Sequence, residues 1–158
     1  MTTRPIGLES QDETGTSSLL IASTAAALCT LLPVAAHQLR LLKHLPDPPC
    51  GFFASDEITD SKTAHPFGIP DSLLGLGSYG TTLSLMLLSK SRPTARKLLA
   101  AKLLADGAVA GFNVVRQIVL FRKVCLWCCG TALCTGLMVL AGREVIATEL
   151  SPTHKPPV

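Results

Sequence analysis

The stretch that decides the fold is Ser17–Ala36, SSLLIASTAAALCTLLPVAA, which is twenty residues long and carries no charge. A helix rises about 1.5 Å per residue, so this stretch is long enough to cross roughly 30 Å of hydrocarbon. Pro33 near its end is tolerated in a membrane helix, because neighbouring helices satisfy the backbone groups that it frees. The stretch therefore predicts a first transmembrane helix.

Three further apolar segments follow along the chain: Gly68–Leu88, Leu98–Phe121 and Val124–Leu140. Of the 158 residues, 47% are hydrophobic and only 16% are charged, whereas soluble domains carry about 25% charged residues. We therefore predict an all-α fold, a four-helix transmembrane bundle within residues 17–147. Residues 1–16 and 148–158 are predicted to be polar tails.

A long polar connection, residues 37–67, separates the first two apolar segments. It contains Cys50, three of the four histidines and an acidic cluster. A connection of this length inside a small domain is usually functional or a linker. We expect it to cap one end of the bundle.

The positive charges favour one orientation in the membrane. With both termini on the same side as the connection between segments two and three, eight Lys and Arg residues lie on that side: Arg4, Lys90, Arg92, Arg96, Lys97, Lys102, Arg143 and Lys155. Five lie on the other side: Arg40, Lys43, Lys62, Arg122 and Lys123. The more positive side is cytoplasmic, so residues 37–67 and the start of segment four are predicted to face outward. In a bacterium that is the oxidising periplasmic face of the inner (plasma) membrane.

The third apolar segment carries five polar or charged side chains: Lys102, Asp106, Asn113, Arg116 and Gln117. At about 100° per residue, four of them form one stripe, with Arg116 at its border. Polar groups at membrane depth are costly unless they are paired or hydrated. The stripe is therefore predicted to face the bundle interior or a polar cavity. The alternative is a soluble amphipathic helix, but so short a chain has nothing to cover segments one and two.

Four of the six cysteines lie within ten residues, and two of them form the pair Cys125-Leu126-Trp127-Cys128. At positions i and i+3 of a helix the two thiols share a face. Free N–H groups at a helix N-terminus stabilise a thiolate, and Arg122 and Lys123 favour it further. Because the thiolate is the nucleophile in disulfide exchange, the spacing predicts a redox-active pair, Cys125 and Cys128.

Two other interpretations of the cysteines stay open at this point. A metal site would use Cys125, Cys128, Cys129 and Cys134, but their spacing is not a standard zinc pattern, and no metal is expected. Inert packing is the second, since free cysteine often behaves as a small buried hydrophobe. The net charge of +3, with no alternation of basic and aromatic residues, argues against nucleic-acid binding.

The order of segments and motifs resembles the vitamin K epoxide reductase family in its bacterial form. The motifs occur in the order seen in that family: Ser61-Lys62, Gly68-Ile69-Pro70, the Gly-rich run Leu74–Gly80, and Cys125-Leu126-Trp127-Cys128. The resemblance covers about residues 17–147. It implies a membrane thiol–disulfide oxidoreductase that couples the oxidation of partner thiols to the reduction of a quinone, ubiquinone or menaquinone, arriving from membrane lipid.

The resemblance also implies roles for individual residues. Cys128 would contact the quinone, Cys125 would exchange with a loop cysteine, here Cys50, and a thioredoxin-like protein would supply the electrons. The implied quinone site comprises Ser61, Gly68, Ile69, Pro70 and Trp127. Ser61 could instead cap a short loop helix, and Trp127 could instead anchor helix four at the membrane interface.

The sequence departs from the family pattern in the loop. The family has two loop cysteines, and the second lies thirteen residues before the glycine of Gly-Ile-Pro. Ser55 occupies that position here. The family also has an aromatic residue directly after the serine motif, and Thr63 occupies that position here. A hydroxyl forms no disulfide, so three outcomes remain: Cys50 relays alone, a partner attacks Cys125 directly, or the chain is a non-catalytic membrane relative.

Overall fold

The computed structural model describes residues 6–150, with side-chain surroundings from Ser17 onward. The predicted tails, residues 1–16 and 148–158, lie partly outside the described residues. Within this part of the chain the α-helices are α1 (Ile6–Gln38), α2 (Ser55–Thr59), α3 (Asp71–Ser89), α4 (Pro93–Phe121), α5 (Leu126–Ala141) and α6 (Arg143–Leu150). The described residues form no β-strand, only one isolated bridge between Phe53 and Val124. The prediction of an all-α fold is therefore confirmed.

Prolines mark the starts of two helices, and a left-handed residue marks the end of one. Pro70 precedes the first residue of α3, and Pro93 is the first residue of α4, a position where its missing N–H costs nothing. α4 ends at Phe121, and the next residue, Arg122, caps it in a left-handed conformation with φ of 53°. Pro33 lies inside α1 without ending it.

The four long helices pack in a ring in which α1 contacts α3 and α5, and α4 contacts the same two helices. Their shared core contains Leu31, Tyr79, Leu103 and Met138. Gly75 brings α3 close to α1, because a Cβ there would lie 2.9 Å from the Leu31 side chain. The ring leaves an interior with a polar wall, described below.

Among the residues that the structure describes, two helices are long and apolar enough to cross a membrane, Ser17–Gln38 within α1 and Pro93–Phe121. A third span results if α5 and α6, which meet at an angle of 56°, form one broken span. α3, which contains most of the predicted segment Gly68–Leu88, is 19 residues long and is not among them. The structure thus supports a helical membrane protein, while the count of four spans stays a prediction.

The connection between α1 and α3 is folded over one end of the helices. It contains α2 and two 3₁₀ turns, Lys62–Ala64 and Pro66–Gly68. Gln38, the last residue of α1, donates hydrogen bonds from Nε2 to Thr59 O (3.1 Å), Ala64 O (3.4 Å) and Asp71 Oδ1 (2.9 Å). One buried amide therefore ties the loop to both neighbouring helices.

Candidate redox site at the start of α5

Cys125 occupies the N-cap position of α5, and its Sγ accepts a hydrogen bond from Cys128 N at 3.2 Å. A sulfur that accepts a free N–H of the first turn takes the part usually played by a Ser or Asp oxygen. Both cysteines are free thiols in this structure. The prediction that the pair opens the fourth long helix is confirmed, with the helix beginning at Leu126.

Burial separates the two thiols. Cys125 is completely buried, whereas Cys128 is partly exposed. Gln117 on α4 holds the first cysteine in place, because Cys125 N donates to its Oε1 at 2.9 Å. The sequence placed Gln117 on a polar stripe but did not indicate that it binds the backbone of the redox pair.

Cys128 lines a cavity of about 350 Å³ that lies between the long helices and the loop. Its polar wall includes Asp71, Ser78, Asp106, Asn113, Arg116 and Gln117. Its apolar wall includes Leu31, Val34 and Leu74. A cavity of this size with a few converging polar groups is typical of a small-molecule site.

The polar stripe of α4 faces this interior, as predicted. Lys102 Nζ lies 2.6 Å from Asp106 Oδ1 and 2.6 Å from Ser78 Oγ. Thr82 Oγ1 donates to Asp106 Oδ2 at 3.1 Å. The charges at membrane depth are therefore paired with each other and with hydroxyls of α3, which lowers the cost of burying them.

A second polar group lies where the cavity meets the loop. Gln38 Oε1 accepts hydrogen bonds from both the backbone N and the hydroxyl of Ser72, and its Nε2 reaches Asp71, which lines the cavity. Sequence reasoning missed Gln38, and a polar residue at the end of an apolar helix is the one signal it carries.

Ser55, the residue in the vacated relay position, lies directly beside the redox pair. It is completely buried. Its Oγ accepts a hydrogen bond from Leu126 N at 3.1 Å and donates one to Asp47 Oδ1 at 2.6 Å. Cys50, in contrast, is exposed on the loop.

Two histidines and two aspartates organise the loop electrostatically. The buried His37 lies 3.7 Å from Asp56 and 3.5 Å from Asp60, and His44 Nδ1 lies 2.9 Å from Asp56 Oδ2. Burial raises the pKa of the Asp56 carboxyl, but hydrogen bonds from Leu45 N and His44, with the charges of both histidines, outweigh it, so the pKa lies below 3.8. Of the three histidines of the loop, His37 is buried, His65 is half-buried and His44 is exposed.

The five residues implied to form the quinone site are not among those that line the cavity. Ser61 Oγ donates to Ile58 O at 2.6 Å and makes no side-chain cap. Gly68 and Ile69 are exposed and Pro70 is partly exposed. Trp127 has a buried Nε1 without a hydrogen-bond partner. Their roles stay predictions. The residues that line the cavity add Asp71, Asn113 and Arg116 as candidates for contact with a bound molecule.

The cysteine cluster does not assemble a metal site in the part of the chain that the structure describes. Within residues 17–150, whose side chains the structure describes, no three His, Cys, Asp or Glu side chains come close enough together to hold an ion. Cys134 lies further along α5, packed against the apolar core. The metal interpretation of the cluster therefore gains no support.

Comparison with known proteins identifies a family. The model of the vitamin K epoxide reductase family matches residues 18–141, well over half of the chain. No curated protein and no solved structure matches the chain. The match spans the long helices, the loop and the cysteine pair, the same region that carries the motifs. The chain belongs to the vitamin K epoxide reductase family.

Proposed function

We propose that this membrane oxidoreductase oxidises thiols of a partner protein and passes the electrons through Cys125 and Cys128 to a quinone. The observation that carries the proposal is the placement of the pair. Cys125 lies at the helix N-terminus under the loop, and Cys128 lines the cavity between the helices. One thiol thus faces the side of the protein partner and the other faces a small-molecule site.

The cavity suits a quinone head group in size and chemistry. Its volume of about 350 Å³ lies in the range of small-molecule sites, and its apolar walls suit a ring with an isoprenoid tail. Asn113 and Arg116 would donate hydrogen bonds to the ring oxygens, and such fixed donors stabilise developing negative charge. When bound, the quinone accepts two electrons and two protons.

The protein side of the reaction balances at the cysteine pair. Two partner thiols become a disulfide and lose two electrons and two protons, while the Cys125–Cys128 disulfide becomes two thiols. Reoxidation of the pair returns the same electrons and protons to the acceptor. Asp71, which lines the same cavity as Cys128, would take up or give a proton during this exchange.

The partner and compartment follow from the same proposal. A thioredoxin-like protein that approaches the loop would meet exposed Cys50 first. We propose that residues 37–67 and the cysteine pair face the periplasm from the inner membrane, where disulfides persist. The cluster of Lys and Arg around residues 90–97 would then lie in the cytoplasm.

The first test measures thiol oxidation by the protein in liposomes that contain ubiquinone or menaquinone, with a reduced thioredoxin-like protein as electron donor. We expect quinone-dependent oxidation, and its loss in Cys125→Ala and in Cys128→Ala. Cys134→Ala is the matched control, since it changes a thiol of the same helix that does not line the cavity, and it should retain activity. Equal activity in all variants would refute the proposal.

Two observations favour a second candidate, a non-catalytic membrane relative. Ser55 occupies the relay position, and Cys125 is completely buried beneath the loop. Such a protein would keep the helices and lose the exchange. Trapping separates the two candidates, because an enzyme cycles between a Cys125–Cys128 disulfide and two thiols on addition of quinone and partner, whereas a scaffold leaves the pair unchanged.

A further inference from the structure

A short strip of the loop lies across the start of α5 and covers Cys125. This strip, residues 52–57, is called the strap below. Val124 N donates to Phe52 O at 3.1 Å, and Ala54 N donates to Val124 O at 3.1 Å. An ion pair of 2.9 Å between Lys123 and Glu57 lies at the end of the strap. Residues 52–54 of the strap therefore pair with the chain before α5 as an extra strand would, and residues 55–57 begin α2.

A polar pair fastens the middle of the strap. Ser55 N donates to Asp47 Oδ2 at 2.7 Å, and Ser55 Oγ donates to Asp47 Oδ1 at 2.6 Å. The same hydroxyl accepts the hydrogen bond of Leu126 N and contacts the thiol of Cys125. One serine thus joins a loop carboxylate to the first residue of the redox helix.

The covered thiol sets a condition on disulfide exchange. An attacking thiolate must reach the sulfur of the disulfide that it breaks, and Cys125 has no exposed surface. Ser55 touches the thiol but cannot carry electrons, because a hydroxyl forms no disulfide. Any incoming thiol, from Cys50 or from a partner, must therefore first displace the strap.

We propose that Asp47 and Ser55 form a hydrogen-bonded latch that closes the strap over Cys125, and that an extended segment of the thiol partner opens it. Opening frees the N–H and C=O of Val124 and the N–H of Leu126, which such a segment takes over as an added strand. The inference rests on the proposed redox role of Cys125, and it makes access to that thiol conditional on the partner.

The latch is tested by a brief maleimide pulse on the reduced full-length protein, with labelling of each cysteine measured by mass spectrometry. Ser55→Ala and Asp47→Asn are expected to raise the labelling rate of Cys125 roughly ten-fold, since each removes a hydrogen bond to a charged group. Cys50, already exposed, and Cys134, inside the helices, should keep their rates and serve as internal references.

Asp60→Asn is the matched control. It makes the same chemical change in the same loop, but Asp60 faces His37 and Arg40 at 3.5 and 3.7 Å rather than the strap. Its Cys125 labelling should equal that of the natural protein. The pulse needs neither quinone nor partner, so it tests the latch separately from the proposed function. If Cys125 labelling rises in the two latch variants but the protein oxidises no partner thiols, the proposed function is refuted and the latch is not.

Two results would overturn the latch. One is an unchanged Cys125 rate in both variants while Cys50 labels normally. The other is a result of hydrogen exchange, which is needed if the variants unfold. Unfolding would be recognised by faster labelling of Cys134. Hydrogen exchange on the natural protein then decides: a latch predicts that the amides of Ala54, Ser55 and Leu126 exchange together and faster than those of the α5 interior. Exchange as slow as that of the interior would refute it.

Discussion

Two regions bury polar groups in this protein, and they do so differently. At the start of α5, neutral groups of Ser55 and Gln117 bind the backbone of Leu126 and Cys125. Deeper in the helices, Lys102 and Asp106 pair with each other and with hydroxyls of α3. The first region orients a reactive helix end, while the second neutralises charge at membrane depth.

The difference between the two regions indicates what each part of the cavity wall contributes to the protein. A paired Lys and Asp stabilise the contact of α4 with α3 as long as both are present. Hydrogen bonds to backbone N–H groups instead fix the geometry of one turn. We therefore expect changes in the deep region to affect stability most and changes at the helix end to affect reactivity.

The largest effect is expected when the deep pair is broken. Asp106→Leu leaves Lys102 without its carboxylate inside the bundle, and we expect a loss of about 3 kcal/mol in the free energy of unfolding. Denaturant unfolding in detergent, followed by circular dichroism, measures this. The double variant Lys102→Met, Asp106→Leu should regain most of the loss, because no unpaired charge remains. A single variant as stable as the natural protein would show that the pair is not buried in the membrane.

A smaller effect is expected at the helix end. Gln117→Met keeps the length of the side chain but removes the acceptor of Cys125 N, and an unpaired buried N–H costs about 1–3 kcal/mol. We also expect slower quinone reduction, because the first turn of α5 loses its support. Gln117→Met should also change the labelling rate of Cys125. The control, Asn113→Ala, lies one turn earlier on the same cavity wall and should leave that rate unchanged. If both variants alter that rate equally, the backbone hydrogen bond has no special role.

The smallest effect concerns the loop and depends on pH. The pKa of Asp56 in the folded protein lies below 3.8, so its carboxylate stabilises the loop at and above that pH, and the stabilisation is lost as the pH falls through the folded value. Because the side chain is 38% exposed, we expect less than about 1 kcal/mol.

Hydrogen exchange of the Leu45 amide, which donates to Asp56 at 2.8 Å, measures this loop effect. Its protection should decrease as the pH falls from about 4, near the unfolded pKa of Asp, through the lower folded pKa. Asp56→Asn should remove most of that dependence, and Asp60→Asn should leave it in place. A steady protection in the natural protein over this range would contradict the assignment.

Much of the architecture could be predicted from local patterns. The long uncharged run from Ser17 and the C-x-x-C at the start of α5 each act through neighbouring residues, so the sequence alone indicates them. The helix starts were predicted less well, because α4 begins at Pro93 rather than at Leu98. The helical period likewise placed Asp106, Asn113 and Gln117 on one face, and the structure turns that face inward.

The sequence by itself therefore determined the helical class, the family resemblance and the position of the cysteine pair, because all of these depend on composition and short spacings. Only the tertiary structure decided which polar groups meet the pair. Ser55 lies 71 positions before Leu126, and Gln38 lies 34 positions before Ser72. Contacts over such separations arise from the packing of helices and the course of the loop, which no local period encodes. For the same reason, only the fold revealed that the serine in the relay position touches Cys125 and that the loop buries that thiol.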